Sequence, residues 1–312
     1  MEDRIITYGG QAVIEGVMMR GQKAFAVAMR DPEGKIVVHK EPLAKVYRSK
    51  ITKIPFLRGV ILLWDALGLG MRALTLAANV QTGEDEKLEG PALYLTLGLS
   101  LALGIGLFFV LPAALVSGVE YLLALFQAGQ ASAVQMAGLG SLELSPFWAN
   151  LLEGVIRLAI LVGYIWAIGQ IPDIRRVFGY HGAEHKTINA YEAGAELTPE
   201  NVAKFSREHP RCGTAFLLTL VLVSILVFTL FGDLTLFWTL ASRILLIPVL
   251  AGIAVEYIRW TANHLDSKFV QAIIRPNLAL QSLTTREPDM QMLEVAIASF
   301  NAMREAEAEL VV

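Results

Sequence analysis

The sequence predicts a mainly α-helical, polytopic membrane protein with four transmembrane helices, an interfacial amphipathic helix and a small cytoplasmic β-rich module at the amino-terminal end. Three observations carry that reading. Of 312 residues 54% are apolar and only 18% charged, with a mean hydropathy of +0.52, whereas an ordinary soluble domain carries roughly 25% charged residues. Apolar stretches of the roughly 20 residues that a helix needs to cross a bilayer recur along the chain. The cations are placed asymmetrically around those stretches, which gives them a direction.

The elements follow in order. Residues 1–54 read as the β-rich module: Ala24 to Met29 alternate, Asp31-Pro32-Glu33-Gly34 is a turn, and Lys35 to His39 return, which makes a hairpin. Residues 55–80 are apolar but carry Arg58, Asp65 and Arg72 at intervals of seven, one stripe of a helix. This helix lies in the membrane interface, with Lys45, Arg48, Lys50 and Lys53 on anionic headgroups, or else packs on the β module. The acidic linker Glu84 to Glu89 leads to the first span, residues 91–117, which holds no charge. The second, 147–171, contains Glu153 and Arg157; the third, 213–232, is clean; the fourth, 234–256, is interrupted by Arg243, with a tight turn at Gly232-Asp233 before it. Residues 172–212 form a polar loop with His, Glu and Cys motifs, and residues 257–312 end in a helix over 288–310 with Met292, Val295, Phe300 and Met303 in register.

Of 26 Lys and Arg, 13 lie in residues 1–90, six in 172–212 and five after 256, while loop 118–146 and the turn at 232–233 have none. Short cation-rich loops stay cytoplasmic, so both termini and the 172–212 loop face the cytoplasm. A net charge of −3 and a pI near 6.0 supply no basic field for nucleic acid. The single cysteine, Cys212, excludes an intrachain disulfide and a cage built from cysteine alone. The opening MEDRIITYGG lacks the apolar core of a cleaved signal peptide.

The residues able to do chemistry gather near the cytoplasmic ends of the spans. His181-Gly-Ala-Glu184-His185 has the form HxxEH: on a helix, histidines four apart share a face with Glu184 beside them as ligand or general base, the logic of the inverted zinc-protease motif. The bland alternative is a plain surface pair, and Gly182 disfavours the helix. His209-Pro-Arg-Cys212-Gly213 stands where the third span begins and offers a nitrogen and a sulfur three residues apart; a cysteine at a helix end is otherwise a small buried hydrophobe. Glu256, Trp260, Asn263, His264 and Ser267 share one face if the fourth span's helix continues, and His264 with Asp266 is either a ligand with its orienting carboxylate or a solvated helix end. Together His181, Glu184, His185, His209, Cys212 and His264 suit zinc; three protein ligands with one open position would be catalytic, four closed ligands structural.

Charges inside a membrane cost about 2.5–3.5 kcal/mol each on insertion scales, so they face a partner or a polar path. Glu153 bridging Arg157 and Arg243 would fix helix packing; a substrate or ion path is the alternative. The segment Gly9 to Gly21 lacks the GK[ST] of a phosphate loop. Its Glu15 and Arg20 either reach the metal cluster or pair with each other at a turn.

The motifs GGQAVIEGVMMRG, YHGAEHKTI, HPRCGT and TTREPD, in this order, resemble the YqhQ-like family of bacterial integral membrane proteins, a domain of unknown function sometimes labelled a predicted metal-dependent enzyme. The likeness spans nearly the whole chain and implies a multi-pass protein of the bacterial inner membrane. It implies roles for Gly9, Gly10, Glu15, Gly16, Met18, Met19 and Arg20, for His181, Glu184, His185 and Lys186, and for His209, Arg211, Cys212 and Gly213, but names no substrate.

The expected function is a zinc-dependent hydrolase at the cytoplasmic membrane boundary. Glu184 would be general base or acid, with Glu15 and Arg20 as further catalytic candidates. His181, His185 and one of His209, Cys212 or His264 would be ligands, and a lipid or a membrane peptide segment the substrate. The competing class is a transporter or assembly factor, working as a homo-oligomer, in which the His/Cys cluster is structural and Glu153, Arg157 and Arg243 mark the working path.

Overall fold

A computed structural model of the chain describes residues 8–44, 54–82, 90–129, 144–232 and 234–310. The cationic cluster Lys45, Arg48, Lys50 and Lys53, the acidic linker 84–89 and Asp233 lie outside these residues. The fold is mainly helical with one small sheet, and it divides into two compact units: residues 1–89, 165–219 and 251–312 make the first, residues 90–164 and 220–250 the second.

In the first unit the predicted hairpin is present as β3 (Ala24–Arg30) and β4 (Ile36–Pro42). Its turn is closed by the Gly34 amide on the Asp31 carbonyl at 2.9 Å and the Lys35 amide on Asp31 Oδ1 at 2.7 Å. The glycine-punctuated segment before it also forms strands, β1 (Gly9–Val13) and β2 (Gly16–Arg20), which the sequence reading did not assign. All neighbours pair antiparallel in the order β1-β2-β3-β4. Period-two alternation then decides the layers. Val17, Met19, Ala26 and Ala28 face Leu293, Val295, Phe300 and Met303 of the terminal helix, while Val13, Met18, Phe25, Val27 and Met29 face Ala73 and Ala77. β3 is buried on both faces, which explains why AFAVAMR is almost continuously apolar.

The helix that covers the second face is α1 (Leu57–Thr82), the segment expected at the membrane interface. Its second half is a layer of the β module, as the packing alternative expects. Arg58 pairs with Glu256 and Arg72 with Glu41, both at 2.7 Å. The terminal helix runs Met290–Glu309 and is capped by Asp289, whose carboxylate accepts from the Met292 amide at 2.8 Å.

In the second unit, α2 (Gly90–Ile105), a π-helical turn (Gly106–Val110) and α3 (Leu111–Gly129) form one continuous stretch. The apolar part, Tyr94–Ala128, is 35 residues long and well exceeds the expected 91–117; residues 118–129 of the expected loop are helical. Pro112 explains the π turn: it has no N–H to give the Phe108 carbonyl four residues earlier, so the regular ladder is interrupted there. α4 (Pro146–Ile168) is the second helix long and apolar enough to cross a membrane.

The two later spans differ from expectation. The third is the helix Gly213–Phe228, only 16 residues, or about 24 Å against a hydrocarbon core of about 30 Å. The fourth is split into Leu236–Leu245 and Ile247–Ala262, bent by 42°. Pro248 in the first turn of the second piece cannot continue the hydrogen-bond ladder of the first. Among the described residues two helices, or three if the bent pair is one span, have the length and composition to cross a membrane.

Candidate metal centre

The HxxEH motif lies on α5 (Pro172–Glu192), a 21-residue helix inside what the sequence suggested was a loop. Pro172 sits at its first turn, where a missing N–H costs nothing. Gly182 does not break the helix, because its lack of a side chain is needed: a Cβ there would stand 2.1 Å from the Arg286 carbonyl oxygen. The segment 284–289 therefore straps directly over the motif. Thr284 gives its carbonyl to His181 Nδ1 at 2.9 Å, the Arg286 amide bonds the Phe178 carbonyl at 2.8 Å, and Glu287 meets the buried Lys186 at 2.6 Å. TTREPD, a motif without assigned chemistry, is thus the strap that orients the first histidine.

His181, His185 and Cys212 converge, with one ligand atom of each within 4.8 Å of the others. His181 Nε2 lies 3.2 Å from Cys212 Sγ, and the two imidazole rings meet edge to face with centroids 4.4 Å apart. His185 Nδ1 is bound to the Arg207 carbonyl at 2.6 Å. A carbonyl only accepts, so both histidines donate through Nδ1 and present the Nε2 lone pair in their neutral form. His185 Nε2 is buried and has no hydrogen-bond partner. This is the arrangement that orients histidine ligands of metals: one nitrogen tied to the main chain, the other left for the ion.

Glu184 is fully enclosed next to these groups, and it interacts electrostatically with all three. Burial pushes its carboxyl above the ordinary glutamate range. The Gly10 amide, on the outer edge of β1, bonds the carboxylate, and a Cβ at Gly10 would stand 2.9 Å from Glu184 Cδ. Its other oxygen, Oε2, is buried without a partner. Burial alone would raise the Cys212 thiol, but His181, with His185, drives it well below the ordinary thiol range. Burial alone would lower His181, but Cys212 overrides it and lifts the imidazole to about 9.

The other expected residues lie elsewhere. His209 is buried beside this group, its ring 5.7 Å from that of His185, but its Nε2 faces Glu192 at 3.9 Å and Arg211 at 3.4 Å; burial lowers its imidazole. Its backbone is clamped at both ends by Gln281, with N–H to Oε1 at 3.0 Å and carbonyl to Nε2 at 2.7 Å. Gln281 was not singled out in the sequence, where an isolated mid-helix glutamine carries no signal. His264 is exposed, bonded to the Trp260 carbonyl, and Asn263 onward is a turn rather than a continuing helix, so the expected ligand face does not form. Glu15 and Arg20 do not pair with each other in the described contacts. Glu15 receives Arg176 through Nε and Nη2, both at 2.6 Å, and the Tyr180 hydroxyl at 3.1 Å, and Arg20 donates to the Gly21 carbonyl.

The family model for a protein of unknown function, DUF1385, matches residues 54–306. An uncharacterised protein of Bacillus subtilis, YqhQ, is 36% identical over 305 residues, which cover 96% of this chain and 93% of the relative. The chain belongs to the DUF1385 family. No solved structure matches it. All three converging side chains lie within the region that defines DUF1385, as do Glu184 and the 284–289 strap, whereas the Gly10 contact comes from the strands that precede it.

Proposed function

We propose that this DUF1385 protein is a metal-dependent membrane hydrolase that holds one divalent ion, zinc by its N₂S donor set, on His181, His185 and Cys212. The observation that carries the reading is the shared use of Nδ1 by the two histidines, which leaves both Nε2 atoms for an ion beside a low-pKa sulfur once the proton that His181 shares with Cys212 is displaced. When bound, zinc with three protein ligands and one open position supplies Lewis acidity and an acidified water. In this reading Glu184 is the general base: the Gly10 amide fixes the carboxylate, its unpartnered Oε2 receives a proton, and burial raises its pKa above the ordinary glutamate value. Gln281 and Thr284 hold the frame in which His181 and Cys212 meet. Glu15 supports α5 through Arg176 and Tyr180 instead of reacting.

The cation distribution supports a four-span chain in a bacterial inner membrane with both termini and residues 172–212 in the cytoplasm, the short helix Gly213–Phe228 and the bent pair each serving as one span. Cys212 immediately precedes the first of these, which favours a lipid or a membrane-peptide substrate over a freely soluble one.

Elemental analysis of tag-free protein tests the metal, and Glu184→Gln tests the enzyme. The expected result is about one zinc per chain, retained in Glu184→Gln while turnover of lipid or peptide substrates is lost. A chain that folds and binds no zinc after loading overturns the reading. A Glu184→Gln variant that keeps full function in cells leaves the cluster structural and favours the transporter or assembly-factor class.

A further inference from the structure

The second unit carries a charge arrangement that the metal reading leaves unused. Glu153 accepts from two guanidiniums: Arg243 Nε at 3.1 Å and Nη2 at 2.9 Å, and Arg157 Nη2. The remaining contacts are neutral. Arg243 also meets Asn150 Oδ1 at 2.7 Å and lies 4.0 Å over the Phe228 ring; Arg157 Nε donates to the Phe108 carbonyl at 2.9 Å and its head lies over Phe109 and Phe228. The Phe108 carbonyl is free to accept because Pro112, its partner in a regular helix, has no N–H.

Arg157 is 3% exposed, Arg243 1% and Glu153 5%. Arginine stays protonated in proteins, so two buried cations face one carboxylate in an apolar unit and leave a net charge of +1. Carbonyls and ring faces stabilise a cation without neutralising it. The Arg157 bonds run through Nε and Nη2, which leaves Nη1 as a charge-assisted donor where charge is uncompensated.

We propose that this cluster binds one singly charged oxyanion, a phosphate or phosphodiester group, through the free donors of Arg157. The group can come from a phospholipid headgroup or from free phosphate. The site stands apart from the metal reading and shares no residue with it.

The test uses the full chain in nanodiscs. One arm adds inorganic phosphate to phosphatidylcholine discs at constant ionic strength; the other replaces phosphatidylcholine with phosphatidylglycerol. Thermal unfolding of the wild type should rise by about 2–4 °C in at least one arm, the first identifying free phosphate and the second a headgroup. Arg157→Gln, which reduces the cluster to a neutral pair, should lose that rise. If Arg157→Gln does not fold, Arg243→Gln makes the same neutralisation. No rise in the wild type in either arm, or an equal rise in a folded neutralised variant, overturns the proposal.

Discussion

The His181, His185, Cys212 group and the Glu153, Arg157, Arg243 group are both buried polar clusters, yet they are incomplete in opposite senses. The first has lone pairs in excess: His185 Nε2 and a Glu184 oxygen have no partner, a low-pKa sulfur shares one proton with His181 Nε2, and both histidine Nδ1–H groups are committed to the main chain. The second has donors in excess, with a guanidinium nitrogen left over and one carboxylate for two cations. Buried polar groups normally find partners within the fold, and the sign of the shortfall indicates what each cluster is built to receive. Electron-pair donors without protons call for a cation; uncommitted N–H groups call for an anion.

The largest effects should come from breaking either cluster at its centre. His181→Ala/His185→Ala removes two of three donors, and zinc content should fall from about one per chain to none, read by elemental analysis on folded protein. Retention of zinc would move the site elsewhere. For the second cluster, Glu153→Gln leaves two buried cations without an anion and should cost about 3–5 kcal/mol, whereas Arg157→Gln leaves a balanced pair and should cost clearly less. Thermal unfolding in detergent orders the two; if the arginine change is the more damaging, the excess positive charge is not the governing feature.

A smaller effect sharpens the role of the strap. Gly182→Ala should gain about 1 kcal/mol from helix propensity, but the new methyl meets a main-chain carbonyl that has no rotamer to change. The clash should win, for a net loss of about 1–3 kcal/mol, and because the strap carries the Thr284 carbonyl that orients His181, zinc affinity should drop about 10–100-fold. Competition with a chelator measures this. Unchanged affinity in a folded variant would show that the carbonyl does not position the ligand.

Much of this was legible in the sequence, for identifiable reasons. The hairpin at residues 24–42 follows from period-two alternation and an Asp-Pro-Glu-Gly turn, and the terminal helix from its apolar register. The histidine pair follows from spacing four, and the Glu153 bridge from the cost of intramembrane charge. The strands β1 and β2 were not legible because glycine is depleted in strands. Gly10 is there for another reason: it lets the sheet edge approach Glu184. His264 fitted a helical face only while the helix was assumed to continue past Ala262. The carbonyls of Thr284 and Arg207 that orient the two histidines had no signature at all, since a main-chain oxygen is available at every residue and only the fold selects which is used.

The smallest effect concerns Glu15, which sequence reading placed among the catalytic candidates and the fold places in a turn at φ +51°. Arg176 beside it, with the Tyr180 hydroxyl, holds its carboxyl below the ordinary value of 4.5, against the opposing effect of burial. A carboxyl lowered in the folded state stabilises above its unfolded value and loses that contribution as pH falls through the folded one. Arg176 is half-exposed, so the pair should contribute no more than about 1 kcal/mol. Glu15→Gln should therefore lower stability by about that much at pH 7, and the gap to wild type should close as the pH drops below 4.5. A gap independent of pH would mean that the ion pair is not what Glu15 contributes. Unchanged stability with lost turnover would return Glu15 to the reacting groups, and would require it to leave Arg176 during the reaction.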